Sequence, residues 1–131
     1  MLLALRRLIL RHGDWGDRPE QREGAGSRRR LALYEQAIER DPTAALDLQL
    51  FADAAGVTRF QVIRDFKKAS SLTPAAFIRN RRLRRAERLI EQGAGLAEAA
   101  FAAGFSDQSH LSRTFRALRG ITPGTFREAQ H

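Results

Sequence analysis

Apolar positions recur along this chain at steps of three and four, the period of amphipathic helices, and the breaks between runs carry helix-start and helix-stop residues. Leu2, Leu3, Leu5, Leu8, Ile9 and Leu10 keep helical spacing with Arg6, Arg7 and Arg11 opposite, which predicts an amphipathic helix ending at His12-Gly13. From Asp14 to Arg30 the composition shifts to Gly, Pro, Glu, Arg and Ser without apolar periodicity, so a flexible linker is expected. Arg28 to Arg40 predicts a helix with Leu31, Tyr34 and Ile38 on one face, and Pro42 stops it soon after. Asp47 is placed to cap a helix that begins at Leu48 and buries Leu50, Phe51, Ala54 and Ala55.

After Gly56, Thr58 suits the N-cap of a further helix. At about 100° per residue, Val62, Phe66 and Ala69 fall within a ~60° inward sector, and Phe60, Ile63, Arg64 and Lys67 lie together opposite. Thr73-Pro74 opens a long helix running to about Gln92, with Gly93 as its stop. Leu83, Ala86, Leu89 and Ile90 form its buried stripe, and Arg79, Arg81, Arg82, Arg84, Arg85 and Arg88 crowd the remainder. Leu96 to Ala103 is a short Ala-rich helix, Gly104-Phe105 turns the chain, and Asp107 or Ser106 caps the next helix, which points Leu111, Phe115 and Leu118 inward. Thr122-Pro123 begins a short last helix in which Phe126 closes the core.

These elements repeat. Ala52-Asp-Ala-Ala-Gly56-Val-Thr58 lies over Ala100-Phe-Ala-Ala-Gly104-Phe-Ser106 at an offset of 48. Beyond the turn the offset is 49, pairing Arg64 with Arg113, Phe66 with Phe115, Thr73-Pro74 with Thr122-Pro123, and Phe77 with Phe126. A small-residue helix, a glycine, a hydroxyl residue and a second, longer helix is the order of a helix-turn-helix. A helical solenoid would need at least three copies to bury its faces, and two are present.

Charge adds a partner to this picture. In 131 residues, 23 Lys and Arg stand against 15 Asp and Glu, a formal net charge of +8, which favours an anionic partner, nucleic acid before acidic membrane. The absence of cysteine fits a reducing cytoplasm and excludes thiol chemistry and cysteine-ligated zinc. Met1 to Arg11 makes a poor signal peptide and is far short of the ~20 apolar residues that span a bilayer, so a cytoplasmic, nucleoid-associated protein without membrane contact is expected. His12, His110 and His131 lie apart with no metal-ligand neighbour, and no nucleophile elbow or phosphate-cradling glycine loop occurs. An enzyme, a metal and a cofactor are therefore not expected.

The outward faces of the two longer helices fit a major groove, because thymine methyls accept apolar contacts while guanine edges and phosphates accept cations. Arg64 and Arg113 are the leading base readers, since arginine forks guanine O6 and N7; a phosphate clamp or a surface ion pair is the alternative for each. Phe60 and Ile63 accompany Arg64, Ser109 and Ser112 accompany Arg113, and Arg59 and Gln108 sit one position earlier, within reach of base edge or backbone. Lys67, Lys68 and Arg116, further along, suit phosphates. The arginines of the long helix either flank the duplex or form a solvated face. Some eighteen helical residues make a rod of ~27 Å, able to hold the two units about one DNA turn, ~34 Å, apart.

The stretch Leu50–Lys68, the segment Leu72-Thr-Pro with Phe77 and Arg82-Leu83, the run Ala102-Ala-Gly-Phe-Ser-Asp-Gln-Ser-His-Leu-Ser-Arg-Thr-Phe-Arg116, and the ending Gly120-Ile-Thr-Pro-Gly-Thr-Phe-Arg127 together resemble the DNA-binding domain of the AraC/XylS family of bacterial transcription regulators. The resemblance covers about Ala32 to Arg127. It implies an all-α domain of seven helices, with two helix-turn-helix subdomains of homeodomain-like three-helical form joined by a long linking helix. Each reader helix would enter one of two successive major grooves. Carried over by position, Phe60, Ile63 and Arg64 would make the first unit's contacts, and Gln108, Ser109, Ser112 and Arg113 the second's. Thr73, Arg82 and Thr122 join the expected phosphate contacts.

The domain expectation is an amphipathic helix at 1–13, a linker at 14–30 and the tandem reader at 31–131. Within the reader, unit 1 covers about 31–74, the linking helix about 74–92 and unit 2 about 96–131. Such regulators often carry an effector-sensing or dimerising β-barrel domain before the reader. Here about thirty residues precede it, and residues 1–13 are similar to a helix that could close such a domain, which predicts a truncated product or a stand-alone reader. The expected partners are double-stranded operator DNA and RNA polymerase, with the chain a monomer or weak homodimer. The rivals are a non-catalytic module that antagonises a full-length regulator through its N-terminal helix, and an RNA binder, which the lack of a clustered aromatic platform disfavours.

Overall fold

A computed structural model describes residues 19–130. The amphipathic helix expected at 1–13 lies outside them. The described residues form seven helices and no strand: α1 (Pro19–Arg40), α2 (Leu48–Ala55), α3 (Arg59–Ser70), α4 (Pro74–Glu91), α5 (Leu96–Ala103), α6 (Gln108–Arg119) and α7 (Pro123–Ala129).

Local chemistry sets most of these boundaries. The Asp47 carboxylate accepts from the Gln49 and Leu50 N–H groups, and the Thr58, Thr73 and Thr122 hydroxyls accept from Gln61 N, Ala76 N and Thr125 N. At the start of α6 the cap is Asp107, which accepts from His110 N at 2.7 Å. Each cap satisfies an N–H that the first helical turn leaves without a partner. The turn glycines of the two repeats, Gly56 and Gly104, are both left-handed, with φ of 67° and 98°, and each ends its helix with a return hydrogen bond.

One expectation fails at the front. Residues 19–30, read as part of a flexible linker, are the first three turns of α1, a helix of 22 residues. They carry no apolar stripe because their packing is made by small and polar groups: Gly26 and Ser27 are buried, and Ser27 and Arg30 hydrogen-bond to Asp65 of α3. Three smaller expectations also fail. Leu50 is 52% exposed and Ala54 is exposed, because α2 turns Ala52 inward beside the expected Phe51. Leu118, in the last turn of α6, is 40% exposed, and Ala69, in the last turn of α3, is half-buried.

Two cores result. Tyr34 and Ile38 of α1, Phe51 and Ala52 of α2, Val62 and Phe66 of α3, and Ile78 of α4 make the first. Its aromatic centre brings Tyr34 and Phe66 to 5.2 Å, Phe51 and Phe66 to 5.7 Å, and Phe66 and Phe77 to 5.1 Å between ring centroids. The second comprises Leu83 and Ala86 of α4, Ala100 and Ala103 of α5, Phe105, and Leu111 and Phe115 of α6, with Phe126 of α7 packed on it. The repeat is therefore a repeat of packing: Val62 and Leu111, Phe66 and Phe115, and Pro74 and Pro123 are each buried as pairs. The linking helix α4 gives its first half to one core and its second half to the other.

Candidate nucleic-acid interface

Each unit stacks a helix, α1 or α4, behind a short helix and a longer one, and the longer one presents its far side to solvent. On α3 the inward side is Val62, Asp65 and Phe66, and on α6 it is Leu111, Thr114 and Phe115. The outward sides are those expected. Arg59, Arg64, Lys67 and Lys68 of α3 are exposed, as are Gln108, Ser109, Arg113 and Arg116 of α6, while Ser112 is half-buried.

Phe60 is 75% exposed and Ile63 40% exposed. They stand beside the exposed Arg59, Arg64, Lys67 and Lys68. Thr73 and Thr122 sit at the N-termini of α4 and α7, where backbone N–H groups and the helix dipole favour an anion. Thr122 is the less available of the two, because its Oγ1 also lies 3.0 Å from that of Thr125.

Arg82 departs from the expected set. It is half-buried, its guanidinium donates to the carbonyls of Pro42 and Ala44, and its Nε would lie 3.0 Å from a Cβ added at Gly104. Burial lowers its pKa. It ties α4 to the α1–α2 connection and passes beside the second unit's turn. Its neighbours on α4 are also partly used within the fold: Arg81 pairs with Glu35 and lies over the Phe77 ring, and Arg85 Nε donates to Ala102 O at 3.0 Å. His110 meets Phe105 edge-to-face and accepts from Ser106 N through Nδ1 at 3.3 Å.

The sequence did not reveal the group behind α3. Asp65 is fully buried. Its Oδ1 accepts from Ser27 Oγ, Arg30 Nη2 and Gln61 Nε2, each at 2.8 Å, and its Oδ2 accepts from Arg30 Nε at 2.7 Å and Tyr34 OH at 2.6 Å. Burial pushes the carboxyl pKa up, but hydrogen bonds from Arg30, Tyr34, Gln61 and Ser27 outweigh it and hold the group at about 2. The same contacts raise Arg30 and, with burial, raise Tyr34. The second unit has Thr114 at the matching position and no such network. The available signal was the spacing of Ser27, Arg30 and Tyr34, which falls on one helical face, but only a helix extended back through the Gly-rich stretch exposes it.

Two three-helical units, each with a capped outer helix whose exposed side mixes cations with apolar or hydroxyl groups, define a tandem helix-turn-helix protein. Residues 51–129 match the family described as "Helix-turn-helix domain". A putative AraC-like transcription regulator of Streptomyces lividans is 30% identical over 99 residues, covering 75% of this chain and 33% of that protein. Among solved structures, a Chromobacterium violaceum transcriptional regulator described as AraC-type DNA-binding domain-containing superposes with a TM-score of 0.74 at 31% identity, covering 81% of this chain and 96% of that one. The DNA-binding domain of AdpA, solved in complex with a target DNA, gives a TM-score of 0.67 at 25% identity over 76% of this chain and 90% of that one. The chain belongs to the AraC-type family of helix-turn-helix transcription regulators. It spans between 22% and 34% of the length of the first curated relatives it matches. Among the described residues no helix is long and apolar enough to cross a membrane.

Proposed function

We propose that this chain binds double-stranded DNA sequence-specifically and regulates transcription, with α3 and α6 entering two successive major grooves on one side of the duplex. The observation that carries the reading is the matched exposure of Arg64 and Arg113 on the outer sides of two helices whose inner sides are buried in register. Arg59, Phe60, Ile63 and Arg64 contact bases in one groove, and Gln108, Ser109, Ser112 and Arg113 in the other. Lys67, Lys68, Arg116, Thr73 and Thr122 hold phosphates.

Capture is electrostatic and readout follows at the base edges. RNA polymerase is the further protein partner, the chain acts as a monomer or weak homodimer, and its setting is the cytoplasm. In vitro selection of bound duplexes from a random pool tests this. Two short conserved blocks separated by about one helical turn are the expected product. Recovery of a pool with no enriched block would defeat the reading.

A further inference from the structure

The buried carboxylate on α3 is joined to the outward face of the same helix. Gln61 Nε2 donates to Asp65 Oδ1 at 2.8 Å, and Gln61 Oε1 accepts from Arg64 Nη2 at 2.6 Å. The direction of this chain is fixed by chemistry. An ionised carboxylate only accepts hydrogen bonds, so the Gln61 amide must turn its NH2 toward Asp65. Its carbonyl oxygen is thereby presented outward, where it accepts from a guanidinium. Were the amide reversed, its NH2 would confront Arg64 and its oxygen would confront the carboxylate, two repulsions in place of two bonds.

Resting on the assignment of Arg64 to a base edge, we propose that Gln61, oriented by Asp65, is the residue that positions the Arg64 guanidinium for readout in the first groove. Asp65 cannot itself be displaced by solvent or by competing cations, because Arg30, Tyr34 and Ser27 already enclose it. A long, flexible arginine side chain thus gains a fixed partner one helical turn away, and less rotational freedom remains to be lost when it meets a base. The second unit has no equivalent. Arg113 has Thr114 behind it and His110 three positions before it, and His110 is engaged with Phe105 and Ser106. The two reader arginines therefore differ in preorganisation although they match in position.

The test is base preference by in vitro selection for the full chain, for Arg64→Ala, for Gln61→Leu and for the double variant, with thermal melts to monitor folding. Leucine approximates the size of glutamine and leaves Asp65 its bonds from α1, so Gln61→Leu should fold. We expect it to relax preference at the same base position that Arg64→Ala relaxes, by roughly five- to tenfold, with other positions unchanged and no further loss in the double variant. Gln61→Glu, which has no donor for Asp65 and sets a second carboxylate beside it, should also reduce preference at that position. If Arg64→Ala relaxes one position and Gln61→Leu leaves it intact, the positioning role is wrong while the readout assignment stands. If Arg64→Ala relaxes no position, the readout assignment fails and the positioning role with it.

Discussion

Among the described residues Asp65 is the one fully buried carboxylate, and its five hydrogen-bond contacts give it a measurable pH signature. In the folded chain it stays ionised down to about pH 2, against an ordinary value of 3.8. A depressed carboxyl pKa contributes stability that is complete above the unfolded value and disappears as pH falls through the folded one. At ~1.4 kcal/mol per pKa unit, the contribution is about 2 kcal/mol. Thermal midpoints should therefore drop between about pH 4 and about pH 2, and Asp65→Asn should lower the neutral-pH midpoint and flatten that acid limb. An Asn variant with an unchanged acid limb would show that the network contributes nothing. Two surface substitutions separate readout from charge. Arg113→Ala should cost ~1–3 kcal/mol of binding and relax one base position, whereas Lys67→Ala should weaken all sequences alike and lower the salt slope by about one. Competition binding at several salt concentrations distinguishes them.

At the scale of elements, what could be read from the sequence is what local chemistry determines. Capping by Asp47, Thr58, Thr73 and Thr122, the glycine stops, and the doubled order of short and long helices follow from a few residues each, and the structure has them where the sequence put them. The first three turns of α1 were not legible, because a helix packed through Gly26, Ser27 and Arg30 leaves no hydrophobic period to detect. The Arg82 bonds were not legible for a related reason: helical spacing cannot tell which guanidinium will meet a carbonyl from a loop forty residues away. The two turns, alike in sequence, also differ in surroundings. A Cβ at Gly56 meets open space, whereas one at Gly104 would lie 3.0 Å from Arg82 Nε and 3.3 Å from the Thr43 backbone. Both glycines have positive φ, so alanine strains each by ~1 kcal/mol. Gly104→Ala should therefore destabilise more than Gly56→Ala, by about a further 1 kcal/mol, as denaturant titration of the two variants would show.

At the scale of the molecule, α4 is the joint between the units. Ile78 and Phe77 belong to the first core and Leu83 and Ala86 to the second, so one continuous helix sets the spacing of the two outer faces. If those faces serve one duplex, the base positions relaxed by Arg64→Ala and by Arg113→Ala should lie about ten base pairs apart. Selection on the two variants measures that spacing directly, and a spacing near half a turn would place the helices on opposite sides of the DNA. Unequal anchoring adds an asymmetry. The first reader helix takes three of its carboxylate's partners, Ser27, Arg30 and Tyr34, from α1, and two of those lie in its opening turns. Unwinding residues 19–30 would take the Ser27 and Arg30 bonds from that carboxylate and open it to water. On the proposed two-groove reading, a ligand, fused segment or protease that seized that stretch would loosen the grip of α3 and spare that of α6.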